Sequence, residues 1–218
     1  MKSRLLIVAL VCMMMAFSAA PLSAEANGKH HRNGHEGYVS PAAVKLKEDM
    51  RKLWIDHVVW TKSYIVSAIA GLEDQQTVLD RLLKNQQDIG DAVKPFYGEA
   101  AGNKLAELLK EHISIAGQVL TAMKSGNQAD ADKYNKEWHR NADDIAAFLS
   151  SANPNWTDKQ LKEMLYVHLQ FITDAVMARL TKDWKADVVA FDKGLDHMIM
   201  FADILSDGII KQFPKTFQ

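Results

Sequence analysis

Three histidines, His57, His112 and His168, stand on the apolar stripes of helical sequence. Leu53 precedes His57 by four residues and Trp60 follows by three. His112 lies in the same way between Leu108 and Ile115, and His168 between Met164 and Phe171. At 3.6 residues per turn these spacings aim each imidazole at the core. Asn85 and Asp88 share a helix face, as do Asn141 and Asp144. Histidine and carboxylate inside a helical bundle can hold a divalent metal or form a general-base pair. The candidate set is therefore His57, His112, His168, Asp88 and Asp144. A plainer reading competes with it: core histidines whose nitrogens are satisfied by neighbouring polar side chains, since buried polar groups are generally paired for structural reasons. The Glu-x-x-His signature of di-metal bundles is missing, because Glu107 and Glu163 precede their histidines by five residues and point elsewhere.

These residues belong to a repeat. NQQDIG from Asn85 matches NADDIA from Asn141 at an offset of 56, which also relates Leu105, Glu107, Leu109 and His112 to Leu161, Glu163, Leu165 and His168. A fainter third copy pairs Leu53 and His57 with Leu108 and His112 and takes Asp203-Ile204 as the counterpart of Asp88-Ile89 and Asp144-Ile145. Each unit reads as a histidine-bearing helix, a turn, an Asp-Ile helix and a proline stop. Such a hairpin cannot bury its apolar face alone, so copies must pack on one another.

Helix punctuation agrees. Ser40-Pro41 opens a first helix that Gly71 ends; Asp74 caps a second that stops before Pro95; a third runs from about Glu99 to Gly126. Asn127 caps a fourth, broken at Asn153-Pro154-Asn155; Thr157 and Gln160 form a capping box for a fifth, and a sixth runs from about Trp184 to Gln212. No segment alternates as a strand does. The expected fold is all-α: an antiparallel bundle of about six helices built from repeated hairpins, over residues 40–218.

Residues 1–26 have the grammar of a secretory signal peptide: Lys2 and Arg4, an apolar run from Leu5 to Phe17, then small residues and Ala24-Glu25-Ala26, with cleavage expected after Ala26 or Ala24. Residues 27–39 form a polar arm with His30, His31 and His35, expected to lack regular structure. The single cysteine, Cys12, falls inside the signal, so the mature chain has no thiol for disulfides or metal. Without Lys2, Arg4 and Glu25, 24 of the 26 basic and 26 of the 27 acidic residues remain. That balance excludes the basic footprint of a nucleic-acid binder. No later stretch is apolar enough to span a membrane, so the mature chain is expected to have no transmembrane segment.

Other residues read first as packing. Trp54, Trp60, Trp138, Trp156 and Trp184 suggest core positions rather than a ligand cage, with Trp156 the one expected to show partial exposure. Met164, Met177, Met198 and Met200 read as core fillers. No phosphate loop, nucleophile elbow or His-Glu-x-x-His is present.

From Leu53 to Phe217 the chain resembles a family of uncharacterised secreted helical proteins of bacteria and some archaea. The carrying stretches are LWIDHVVWTKSYI, RLLKNQQDIGDAVKPFYG, LLKEHI, NADDIAAFLSSANPNW and DGIIKQFP. The resemblance implies export and a helical fold, and brings no established activity. Glycosyltransferase labels attach to some members, but this sequence lacks the strand–helix alternation of a nucleotide-binding sheet, and Asp130-Ala131-Asp132 sits at a helix start. Three functional expectations follow. The first is a non-enzymatic, extracytoplasmic binding or envelope-associated structural role toward a protein or small-molecule partner. The others are a metal- or cofactor-binding bundle using the histidines, and an enzyme with a His-Asp general base.

Overall fold

The computed structural model describes residues 40–218; the signal segment and the histidine-bearing arm lie outside the described residues. The described chain is all-helical, with no strand. Five α-helices follow in order: α1 (Pro41–Ala70), α2 (Gln75–Ser125), α3 (Gln128–Ala152), α4 (Asp158–Leu180) and α5 (Trp184–Gln212), then a short 3-10 turn, Pro214–Phe217. Three of the four expected caps form; Asp74 makes no side-chain cap bond, and Asp183, not expected, caps α5 by accepting from the Ala186 amide. Ser40 accepts from the Ala43 amide, Asn127 from Asp130 and Thr157 from Gln160, each satisfying an amide that the first helical turn leaves free.

One boundary departs from expectation. The second and third expected helices run on as a single stretch, α2, divided by the non-helical Gly98 rather than before Pro95. Pro95 is accommodated within the helix, whereas Gly98 takes φ 84° and ψ 167°, a region that only glycine enters without strain. There the chain doubles back. Gly90 and Gly102 pack backbone to backbone, so that a Cβ on either would collide with the other's carbonyl oxygen. In a straight helix these residues would stand about 18 Å apart. The Lys110 ammonium also donates to Gln87 Oε1 across the fold, at 2.6 Å. We refer to residues 75–97 and 99–125 as the two arms of α2.

The core runs along the inner faces of all five helices, through Met50, Trp54, Ile89, Trp138, Ile145, Leu161, Leu169, Phe201 and Ile209. Each large side chain so buried contributes roughly 1.5–3 kcal/mol. Two residue assignments change. Trp156 is not exposed: it is 97% buried against Tyr97, its indole N–H donating to the Ile204 carbonyl at 3.1 Å. The loop 153–157 thus closes one end of the molecule, where Tyr97 also bonds Gln212 and receives a bond from Asn153. Burial pushes the Tyr97 hydroxyl up to about 12, so it stays a neutral donor. Conversely Met177 and Met200 are exposed, not core. Periodicity places them on helices but does not say which neighbours cover them.

The seam between α1 and α5 is fastened along its length. Lys47 pairs with Asp207, Arg51 grips Asp203 through two bonds of 2.7 Å, and buried Asp187 holds both Lys62 and Arg179. Among the described residues no such series joins α3 to α4, where Lys162 and Tyr166 both reach Asp143, or the two arms of α2, and open space lies between both pairs.

The close approach at Gly90 sets a test. Gly90→Ala is expected to cost ~1–3 kcal/mol in urea unfolding, because the methyl meets backbone that cannot rotate away. A loss below ~0.5 kcal/mol would show that the arms separate freely.

Candidate functional site

The three predicted histidines meet in the middle of the bundle. His57 comes from α1, His112 from the second arm of α2 and His168 from α4; all are at least 96% buried. The His57 and His168 rings lie 5.4 Å apart between centroids, with their Nε2 atoms facing at 3.5 Å. His112 stacks on His168 at 6.2 Å and 24°.

His112 is fully satisfied. Its Nδ1–H donates to Asn141 Oδ1 at 2.7 Å, and its Nε2 accepts from the Trp138 indole at 3.0 Å. The Asn141 amide is itself fixed, since its Nδ2 donates to the Leu108 carbonyl at 3.2 Å. An amide oxygen only accepts and an indole N–H only donates, so His112 is neutral with its proton on Nδ1. No lone pair remains for a metal. His57 Nδ1 faces the Gln86 amide at 3.3 Å, which leaves the proton on Nε2, pointing at His168. His168 Nδ1 then carries a proton and has no partner. Trp54 Nε1, Thr61 Oγ1 and Gln86 Oε1, on or beside the same stripe, are also buried without partners.

Burial disfavours charge on every ring. It pulls His57 down to about 3, with the nearby His112 adding to the effect. His112 falls to about 4 from the same cause, against a partial opposing pull from its bond to Asn141. His168 is held well below the ordinary histidine range by burial first and by the other imidazoles second.

Asp88 and Asp144 are not at this cluster. They lie on the outside, paired with Lys84 and Arg140 one helical turn away. The asparagines on the same helices turn inward instead: Asn85 donates to the Leu53 carbonyl at 3.0 Å as Asn141 does to Leu108. A neutral amide both donates and accepts, so it satisfies a carbonyl and an imidazole without bringing a charge into the core. Between α4 and α5 the group that reaches back is His197, whose Nε2 donates to the Met164 carbonyl at 2.7 Å. His197 stands 56 residues after Asn141, as Asn141 does after Asn85. Asp203 of the expected Asp-Ile match is instead on the surface with Arg51. Trp138, Gln86 and His197 were missed from the sequence. Extending the offset once more would have found His197; no sequence signal singles out Trp138.

None of the bonds these imidazoles make goes to a carboxylate, and among the described residues no group of three or more histidines, cysteines and acids is placed to hold a metal ion. The open space lies elsewhere. Between α3 and α4 a cleft of about 600 Å³ has an apolar floor that includes Met123 and Leu169 and a polar rim that includes Asn135, His139, Tyr166 and Gln170. His139 donates from Nδ1 to the Asn135 carbonyl at 2.8 Å, leaving Nε2 as an acceptor, and its ring meets Tyr166 edge-on at 5.0 Å. The Tyr166 hydroxyl is engaged by Asp143, the first cause of its raised pKa.

Fold and site together define a helical bundle with a closed, uncharged polar centre and an open lateral cleft. No protein-family model matches the chain, and no curated protein or solved structure is detectably similar to it.

The histidines predict a pH dependence. Their folded pKa values are depressed below the unfolded value of ~6.5, so the unfolded chain binds more protons in acid. The stability they allow is complete above that value and is lost as pH falls toward the folded values, at up to ~1.4 kcal/mol per pH unit for each imidazole. Urea unfolding between about pH 7 and pH 5 measures it; a flat profile would show charged or hydrated rings. Asn141→Leu, which strands the His112 Nδ1–H, is expected to cost ~1–3 kcal/mol at neutral pH.

Proposed function

We propose that this chain is an exported, non-enzymatic binding protein that takes an uncharged amphiphilic small molecule in the cleft between α3 and α4. The cleft is the observation that carries the reading: its volume, about 600 Å³, falls in the range of small-molecule sites. Its rim offers amide, imidazole and phenol groups, no lysine or arginine, and one carboxylate, Asp132, which accepts from the Gln128 amide at 2.7 Å, so it suits hydrogen-bonding groups on an apolar body rather than an anion. The buried imidazoles, their nitrogens engaged or shut away from solvent, are the scaffold of this reading and not its site. We read the bundle as three repeated hairpins, α1 with the first α2 arm, the second arm with α3, and α4 with α5. The recurring bonds to the Leu53, Leu108 and Met164 carbonyls support that reading. Export rests on residues 1–26.

Two measurements test these statements. Nile red, an uncharged amphiphilic probe, is expected to bind saturably. Asn135→Trp and Thr173→Trp, which fill the cleft, should weaken binding by roughly tenfold while leaving the melting temperature nearly unchanged. Unsaturable binding, or equal binding by both variants, would reject the site. For export, the N-terminal residue of the protein recovered from outside the cytoplasm should be Asn27 or Glu25; an intact Met1 would refute it.

A further inference from the structure

The outer face of the first half of α5 exposes apolar groups, Trp184 with the Arg179 guanidinium against its ring. Trp184 is 55% exposed, Val188 56% and Val189 43%. Val59 on the neighbouring α1 and Met177 on α4 are exposed on either flank. Val189 and Met177 line a shared shallow groove, and the Lys62 ammonium lies over the Phe191 ring on the α1 side. A contiguous exposed apolar patch on a protein of this size marks an interaction surface.

The charges on this face say what covers it. Lys185 and Asp192 stand seven residues apart, two helical turns, on one line down the middle of the face, with Val188 and Val189 halfway between them. The ion pairs of α5 run through Asp187, Asp203 and Asp207 to α1 or α4, and among the described residues none uses Lys185 or Asp192; Lys193 and Asp196, also exposed and outside those pairs, lie beyond the strip from Lys185 to Asp192. Reversing this strip end for end exchanges a cation for an anion at equal distance from its centre. The strip is therefore complementary to an antiparallel copy of itself.

We propose that a second copy of this chain docks here, forming a symmetric dimer in which the two α5 helices cross antiparallel about a two-fold axis between Val188 and Val189. Val188 meets the partner's Val188, and Val189 meets the partner's Val189, at the centre. Lys185 lies opposite the partner's Asp192, and Asp192 opposite the partner's Lys185. Trp184, at the near end, reaches over the seam between α1 and α5 of the other subunit, where the partner's Val59 is uncovered. A two-fold contact must be self-complementary in this way, residue i meeting j and j meeting i. The contact is centred on a single helix and falls short of the ~800 Å² per subunit of a standard interface, so dissociation in the range of roughly tens of micromolar is expected.

The test is sedimentation equilibrium of the mature protein at concentrations from about 1 μM to about 1 mM, bracketing that range. The dimer fraction should rise with concentration. Lys185→Asp or Asp192→Lys alone places like charges opposite each other and should weaken association at least ~tenfold. The double variant K185D/D192K restores opposite charges and should recover it. Because no cysteine follows Cys12, Val188→Cys supplies a second readout: it should cross-link on oxidation, while Met200→Cys, also exposed on α5, should not. A monomer at every concentration, a double variant no better than either single one, or equal cross-linking by both cysteine variants would overturn the proposal.

Discussion

An imidazole removed from water must surrender its charge and find partners for two nitrogens, and three of them occupy the centre of this bundle. The solution is almost entirely neutral. Asn141 and Trp138 hold His112, Gln86 faces His57, and His57 turns toward His168. Carboxylates placed at the same distance would have drawn protons into the core and left buried charge to be compensated; Asp88 and Asp144 stay in solvent with their own lysine and arginine. Segments α1, the second arm of α2 and α4 each present one face to this centre.

Inward polar side chains also tie backbones together. Asn85, Asn141 and His197 each reach a carbonyl on another helical segment, Leu53, Leu108 and Met164, four residues before His57, His112 and His168. A helical carbonyl has a second lone pair to accept such a bond without leaving its own helix. Each of these helix pairs is therefore pinned between its ends, and the differences between them arise at their seams. Where ion pairs run the length of a seam, as between α1 and α5, the surface is closed. Between α3 and α4 the helices are joined at one end by the loop around Trp156, and the cleft lies between them.

The helical class, the caps at Ser40, Asn127 and Thr157, and the inward direction of His57, His112 and His168 were legible in the sequence, because all depend on neighbours within one or two helical turns. The 56-residue sequence offset relates residues of longer range: Asn85, Asn141 and His197 follow one another at that spacing, and each donates to a helix carbonyl, whereas Asp203 of the Asp203-Ile204 match pairs with Arg51.

Decisions between distant segments were not legible. Whether Asn85 or Asp88 faces the core depends on a rotation of the helix by less than one turn, and both choices satisfy the same periodicity. Only packing against α1 turns the amide inward and leaves the acid in water. Likewise, proline marks a place where a helix can end, but Gly98 is where the chain turns, because only there does the backbone adopt an angle that brings Gly90 onto Gly102. Local spacing alone determined that these histidines would be buried. Their tautomers, their partners and the cleft beside them were decided by the tertiary structure, since each requires groups from separate helices to arrive at one point.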